Sequence, residues 1–112
     1  MLTIDLLKSS GVDTESGLAR CMGMEEFYLS LVEKALQDKN FTVLQESVGA
    51  KDYDKAFEAA HALKGILGNL SLEPMYTTIC EITELLRART DTDNTPLLDE
   101  LYRSKSVLDE AC

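Results

Sequence analysis

Three features of this 112-residue sequence predict an all-α fold. Apolar residues recur at spacings of three and four, no stretch of useful length alternates as a strand would, and glycine and proline fall between the periodic segments. Connections of about two to six residues return each helix beside its predecessor, so the expected architecture is an antiparallel up-and-down four-helix bundle with additional short N-terminal helices. With 45% hydrophobic and 28% charged residues the chain suits one core. We expect one domain over residues 1–112, divided into an N-terminal helical extension over 1–23 and the bundle over 24–112.

The first two helices are expected at about 3 to 9 and 13 to 22, where Thr3 and Asp13 offer side-chain oxygens to the free amides of a first turn. From 24 to 39, Met24, Phe27, Tyr28, Leu31, Val32, Ala35 and Leu36 form a one-sided stripe. Asn40 is the expected cap of a shorter helix carrying Phe41, Leu44 and Val48, with Gly49 ending it. Asp52 caps a long helix to about residue 70, on which Tyr53, Ala56, Ala60, Leu63, Leu67 and Leu70 repeat at close to 3.5 residues, as in a bundle seam. Ser71 or Glu73 starts the next helix, with Pro74 in its first turn and Leu72, Met75, Ile79, Ile82 and Leu86 as its stripe to about 89. A polar loop over 90–94 leads to Thr95 and Pro96, a strong helix start for Leu97, Leu101, Leu108 and Ala111. Met22 and Met24, with the aromatics Phe27, Tyr28, Phe57 and Tyr76, are expected as core or boundary packing rather than a ligand box.

Twenty acidic residues against eleven basic ones give a formal charge of -9, which repels phosphate backbones and excludes nucleic acid as a natural partner. No apolar run approaches the roughly 18 residues needed to span a bilayer, and the start MLTIDLLKSS lacks a basic leader followed by an apolar stretch, so a cytoplasmic location is expected. Cys21, Cys80 and Cys112 have neither metal-type nor redox-type spacing and are expected to be reduced thiols. One histidine with three scattered cysteines offers no metal set and no triad, so no metal or cofactor is expected on this chain. Its negative charge and self-contained apolar stripes favour a monomer.

Histidine is the side chain most readily used as a neutral nucleophile near neutral pH, and the chain has one, His61. At about 100° per residue it lies roughly 140° from the centre of the apolar stripe on its helix, so the imidazole should face solvent. Lys64, Gly65 and Gly68 follow on the same face, with Phe57 and Glu58 one turn before. Two glycines inside a helix cost on the order of 1 kcal/mol each relative to alanine, which calls for an offsetting reason. Clearance for another protein is one such reason, and close helix packing is another. Lys64, one turn from the ring, is placed to neutralise a phosphoryl group on its nitrogen.

The run His61-Ala62-Leu63-Lys64-Gly65, followed by Gly68-Asn69-Leu70, resembles the signature of the histidine-containing phosphotransfer (HPt) domain family, and the helix pattern from about 24 to 112 is similar to that family's bundle. The first two dozen residues fall outside the resemblance. It implies that His61 accepts a phosphoryl group from an aspartyl phosphate on a receiver domain and passes it to another receiver's aspartate, with Lys64 assisting electrostatically. It further implies that Gly65 gives access and that Gly68 and Asn69 edge the docking surface or support the helix end. Ile66 and Leu67 stand where the family tends to have small residues, and Ser71 where a glycine is common; these departures bear on docking rather than chemistry. Glu58 is a weak candidate for orienting the ring, and Phe57 is apolar enough to contact a receiver.

The implied protein is a phosphoryl carrier rather than an enzyme. It has no nucleotide-binding glycine loop, and no carboxylate cluster for Mg2+, which the partner receiver would have to supply with its aspartate. Response-regulator receivers are the implied partners, with a hybrid histidine kinase as a further candidate. The rival reading is a helical adaptor that binds receivers or other signalling proteins without carrying phosphate.

Overall fold

The computed structural model describes residues 1–88 and 95–112, and among these all regular structure is helical. In chain order the helices are α1 (Ile4–Ser9), α2 (Thr14–Arg20), α3 (Glu25–Leu36), α4 (Asn40–Gly49), α5 (Tyr53–Asn69), α6 (Met75–Arg87) and α7 (Thr95–Asp109). The loop expected over 90–94 lies outside the described residues, and α6 ends at Arg87, just before the end expected near 89.

Three of the caps read from the sequence are in place. Thr3 Oγ1 accepts from the Leu6 amide at 3.1 Å, Asp13 Oδ1 from that of Ser16 at 3.1 Å and Asp52 Oδ1 from that of Lys55 at 3.2 Å. Each satisfies one amide that a first helical turn leaves without an intrahelical partner. Two helix starts differ from expectation. Asn40 is the first residue of α4 rather than its cap, and its own amide donates to Asp38 Oδ1 at 2.8 Å, so the stabilising carboxylate sits two residues earlier. Pro74 occupies the cap position of α6 rather than its first turn, and no side chain caps that helix. Glu73 instead accepts from Thr77 Oγ1 at 2.7 Å, and Ser71 takes a left-handed conformation at φ 55°. At the end of α4 the left-handed residue is Lys51, at φ 59°, rather than Gly49, which is still helical.

The seam of α5 is buried as its periodicity requires: Ala56, Ala60, Leu63 and Leu67 are fully enclosed, and Ala59 joins them. α5 packs against α4 and α6, α6 packs against α7, and α7 touches α3. On α6 the stripe Met75, Ile79, Ile82 and Leu86 is buried, while Thr78 and Thr83 satisfy their buried hydroxyls on carbonyls one turn back. The stripe of α3 is narrower than expected. Tyr28, Val32, Ala35 and Leu36 are buried, but Phe27 is 48% exposed, Met24 54% and Met22 84%. Phe27 is turned about 100° from Tyr28, Met24 precedes the first turn, and Met22 sits at φ 55° in the α2–α3 connection. These three side chains therefore leave the core that the sequence assigned to them.

The N-terminal helices share the main core through Leu2, Leu7 and Val12. They are fastened where α5 ends. Tyr28 Oη donates to Leu70 O at 2.7 Å inside the core, the Asp13 amide donates to Ser71 O at 3.2 Å, and Ser71 Oγ donates to Ser16 Oγ at 3.0 Å. A Cβ at Gly17 would fall 2.5 Å from the Tyr28 ring, so only glycine lets α2 approach this closely. Among the described residues, no helix is long and apolar enough to cross a membrane.

Candidate functional site

His61 projects from the solvent side of α5, as the helical angle requires, and is exposed. Toward the C-terminal end of α5 it opens onto a groove of about 580 Å³. One wall is α5 itself, with Lys64, Gly65, Gly68 and Asn69. The opposite wall comes from α2 and its cap, through Asp13, Ser16 and Arg20, and the floor from Ser71, Glu73 and Tyr76. The structure thus brings His61, Lys64, Gly65, Gly68 and Asn69 together on one surface.

Phe57 and Glu58 lie outside that groove. Phe57 is half-buried on the other side of the imidazole, its ring nearly parallel to that of His61 at 9° with centroids 6.0 Å apart. Arg87 of α6 covers the Phe57 ring with its guanidinium carbon 5.3 Å from the centroid, and its Nε lies 3.4 Å from Glu84 Oε1. Glu58 is exposed, and among the described residues it makes no hydrogen bond to His61; the group that flanks the ring is Phe57.

The two helix glycines have different reasons. A Cβ at Gly65 would meet nothing within 4 Å, whereas one at Gly68 would lie 2.8 Å from Tyr76 Cε1. Gly68 therefore answers to packing, and Gly65 leaves bare surface one turn from the imidazole. Arg20 Nη1 donates to Gly68 O at 2.6 Å, placing a cation on a carbonyl of the last turn of α5. Hydrogen bonding to the Cys80 thiol raises the pKa of Tyr76 above its ordinary value, an effect opposed by the nearby Arg20 charge.

The two acids of the groove are engaged locally, Asp13 as the cap of α2 and Glu73 with Thr77. Among the described residues, neither Lys64 nor Arg20 is paired with a carboxylate. Lys64 and Arg20 thus share the groove with two carboxylates that are hydrogen-bonded but not ion-paired, so the lining is formally neutral in a chain of net charge -9, and Lys64 is the cation one turn from the imidazole. Among the described residues no group of three or more His, Cys, Asp or Glu side chains is placed to hold a metal ion, and Cys21, Cys80 and Cys112 are free thiols.

A family model described as the Hpt domain matches residues 28–111, three quarters of the chain, including His61 and the glycines that follow it. The chain belongs to the Hpt domain family. Hpt domains serve histidine phosphotransfer in phosphorelays, as phosphoryl carriers that meet receiver domains. The matched span takes in α4 to α7 and most of α3, while α1 and α2 precede it. No curated protein and no solved structure matches the chain.

Several residues of the groove carry no local sequence signal. Arg20 and Ser16 reach the groove from α2, and Tyr76 from α6, so only the packing of α2 and α6 against α5 reveals them. Arg87 is 26 residues from His61 and enters the neighbourhood through the Phe57 ring.

Proposed function

We propose that this chain is a histidine phosphotransfer protein of a bacterial-type two-component phosphorelay, in which His61 takes a phosphoryl group from a receiver aspartyl phosphate and returns it to another receiver's aspartate. The observation that carries this reading is the exposed imidazole sharing an open groove with Lys64 and with a glycine whose missing side chain leaves empty space. The unprotonated ring nitrogen attacks phosphorus in line as the P–O bond to aspartate breaks. A P–N bond forms, the aspartate carboxylate departs with the electron pair, and the proton on the other ring nitrogen stays in place. Lys64 offsets charge on the transferring oxygens. Mg2+ and the acceptor carboxylate belong to the receiver, which also completes the chemistry that this chain, as a carrier, does not perform alone.

Gly65, Gly68 and Asn69 form the docking lip in this reading, with Phe57 and Glu58 flanking it beyond the imidazole. We read residues 24–112 as an antiparallel up-and-down four-helix bundle and residues 1–112 as one domain, acting in the cytoplasm as a monomer with receivers and a hybrid histidine kinase as partners.

The test is transfer from receivers preloaded with phosphate and Mg2+ to the wild type, His61→Gln and Lys64→Ala, read by intact-protein mass. We expect an acid-labile, alkali-stable adduct on the wild type, none on His61→Gln, and uptake about tenfold slower on Lys64→Ala, about 1.4 kcal/mol of transition-state stabilisation. A folded wild type that binds a receiver but takes no phosphate from any receiver of its genome overturns this reading in favour of a phosphate-independent adaptor.

A further inference from the structure

Among the described residues Arg20 is the one guanidinium in the histidine groove, and it belongs to a helix that the Hpt match does not cover. Its position is enforced rather than incidental. α2 is drawn against the end of α5 by the Gly17–Tyr28 approach, by Tyr28 Oη on Leu70 O and by the Asp13 and Ser16 contacts to Ser71. Arg20 Nη1 is then anchored on Gly68 O at 2.6 Å. That bond uses one of the five N–H donors of the guanidinium, which has no carboxylate partner among the described residues. The remaining donors belong to a group that lines the same groove as His61 and Lys64.

We propose that Arg20 is a second electrostatic clamp of the phosphotransfer site: held by Gly68 about 10 Å along α5 from His61, it grips carboxylates of the receiver that docks over the groove and so favours transfer without touching the phosphoryl group. This rests on the phosphotransfer reading and assigns part of the site to the N-terminal helices. A planar guanidinium presents parallel donors that match phosphate and carboxylate oxygens, whereas Lys64 acts as a point charge. Lys64, one turn from the imidazole, is the cation placed for the phosphoryl group, while Arg20 lines the same groove two turns away, where the docked receiver would rest.

The alternative is that Arg20 merely props the end of α5 through the Gly68 carbonyl. Arg20→Gln and Arg20→Lys separate the two roles, because glutamine keeps an N–H donor without charge and lysine keeps the charge without the fork. Transfer from a phosphorylated receiver to each full-length variant is timed from about 50 to 500 mM salt, with thermal melts alongside. The clamp predicts a roughly tenfold slower transfer for Arg20→Gln at low salt, a weaker salt dependence than the wild type, and substantial recovery in Arg20→Lys. Wild-type rates in Arg20→Gln, an unchanged salt dependence, or equal defects in both variants overturn it. Absence of any adduct on the wild type would instead overturn the phosphotransfer reading, and the clamp with it.

Discussion

Gly68 and Tyr76 are shaped to one another: a Cβ on the first would come within 2.8 Å of Cε1 of the second. Gly65, three residues earlier on the same face, has open space where its Cβ would be. The pair separates a glycine kept for packing from one kept for access. It also shows why helix propensity alone could not distinguish them.

The two alanine variants should therefore move stability by different amounts. Gly65→Ala gains roughly 0.5–1 kcal/mol from reduced backbone freedom and raises the melting temperature by about 3 °C, while its methyl slows transfer from a docked receiver. Gly68→Ala makes the same backbone gain but must swing the half-buried Tyr76 ring aside, which offsets most of it. Thermal melts decide the matter; equal rises in both variants would contradict the Gly68–Tyr76 fit.

Tyr28 is expected to act as a bolt between α3 and the end of α5. Replacing it with phenylalanine leaves Leu70 O without its donor and costs about 1–3 kcal/mol, seen as a lower urea midpoint. Burial first, then the Cys21 and Asp13 charges, push its hydroxyl from 10.0 to about 12, so the fold favours the protonated phenol. Its contribution is complete below about pH 10 and is lost as pH rises through about 12. Tyr102, also pushed up to about 12 by burial, titrates in the same window, so Tyr28→Phe should flatten the alkaline loss of stability without abolishing it. Identical pH profiles for the two proteins would show that Tyr28 has no part in it.

Phe57 stands between His61 and Arg87, parallel to the imidazole and beneath the guanidinium. Phe57→Leu keeps apolar volume at a half-buried position and should change stability by less than about 1.5 kcal/mol. It also removes the ring current. The Arg87 side-chain protons, shifted upfield in the wild type, should return toward ordinary values, and the His61 ring protons should shift as well. Proton spectra in which neither residue responds would rule out the stack.

The helices, most of their caps and the histidine face could be read from the order of residues, because each depends on contacts within about one turn. The α5 stripe placed His61 outward, and Asp13 and Asp52 announced the starts of α2 and α5 through oxygens that reach amides three residues away. The family resemblance likewise rested on eight neighbouring positions of one helix and its end. Sequence reasoning failed where a local preference was overruled by the position of a distant element. Phe27 points outward because Tyr28 and Val32 set the rotation of α3 against the core, and Met22 and Met24 because they fall in the α2–α3 connection and at the helix cap.

Pro74 and Gly49 likewise took positions beside those their chemistry favours, since Ser71 and Lys51 make the left-handed turns. Composition and periodicity were enough for an all-helical chain with one exposed histidine flanked by a lysine and a bare glycine. The second wall of the groove, the guanidinium of Arg20 on Gly68 and the ring of Phe57 beside His61 depend on how α2, α5 and α6 dock and on side-chain rotamers. Arg20 and Gly68 are 48 residues apart. A contact of that separation leaves no periodic trace, because it arises only when packed helices bring remote turns within hydrogen-bond reach.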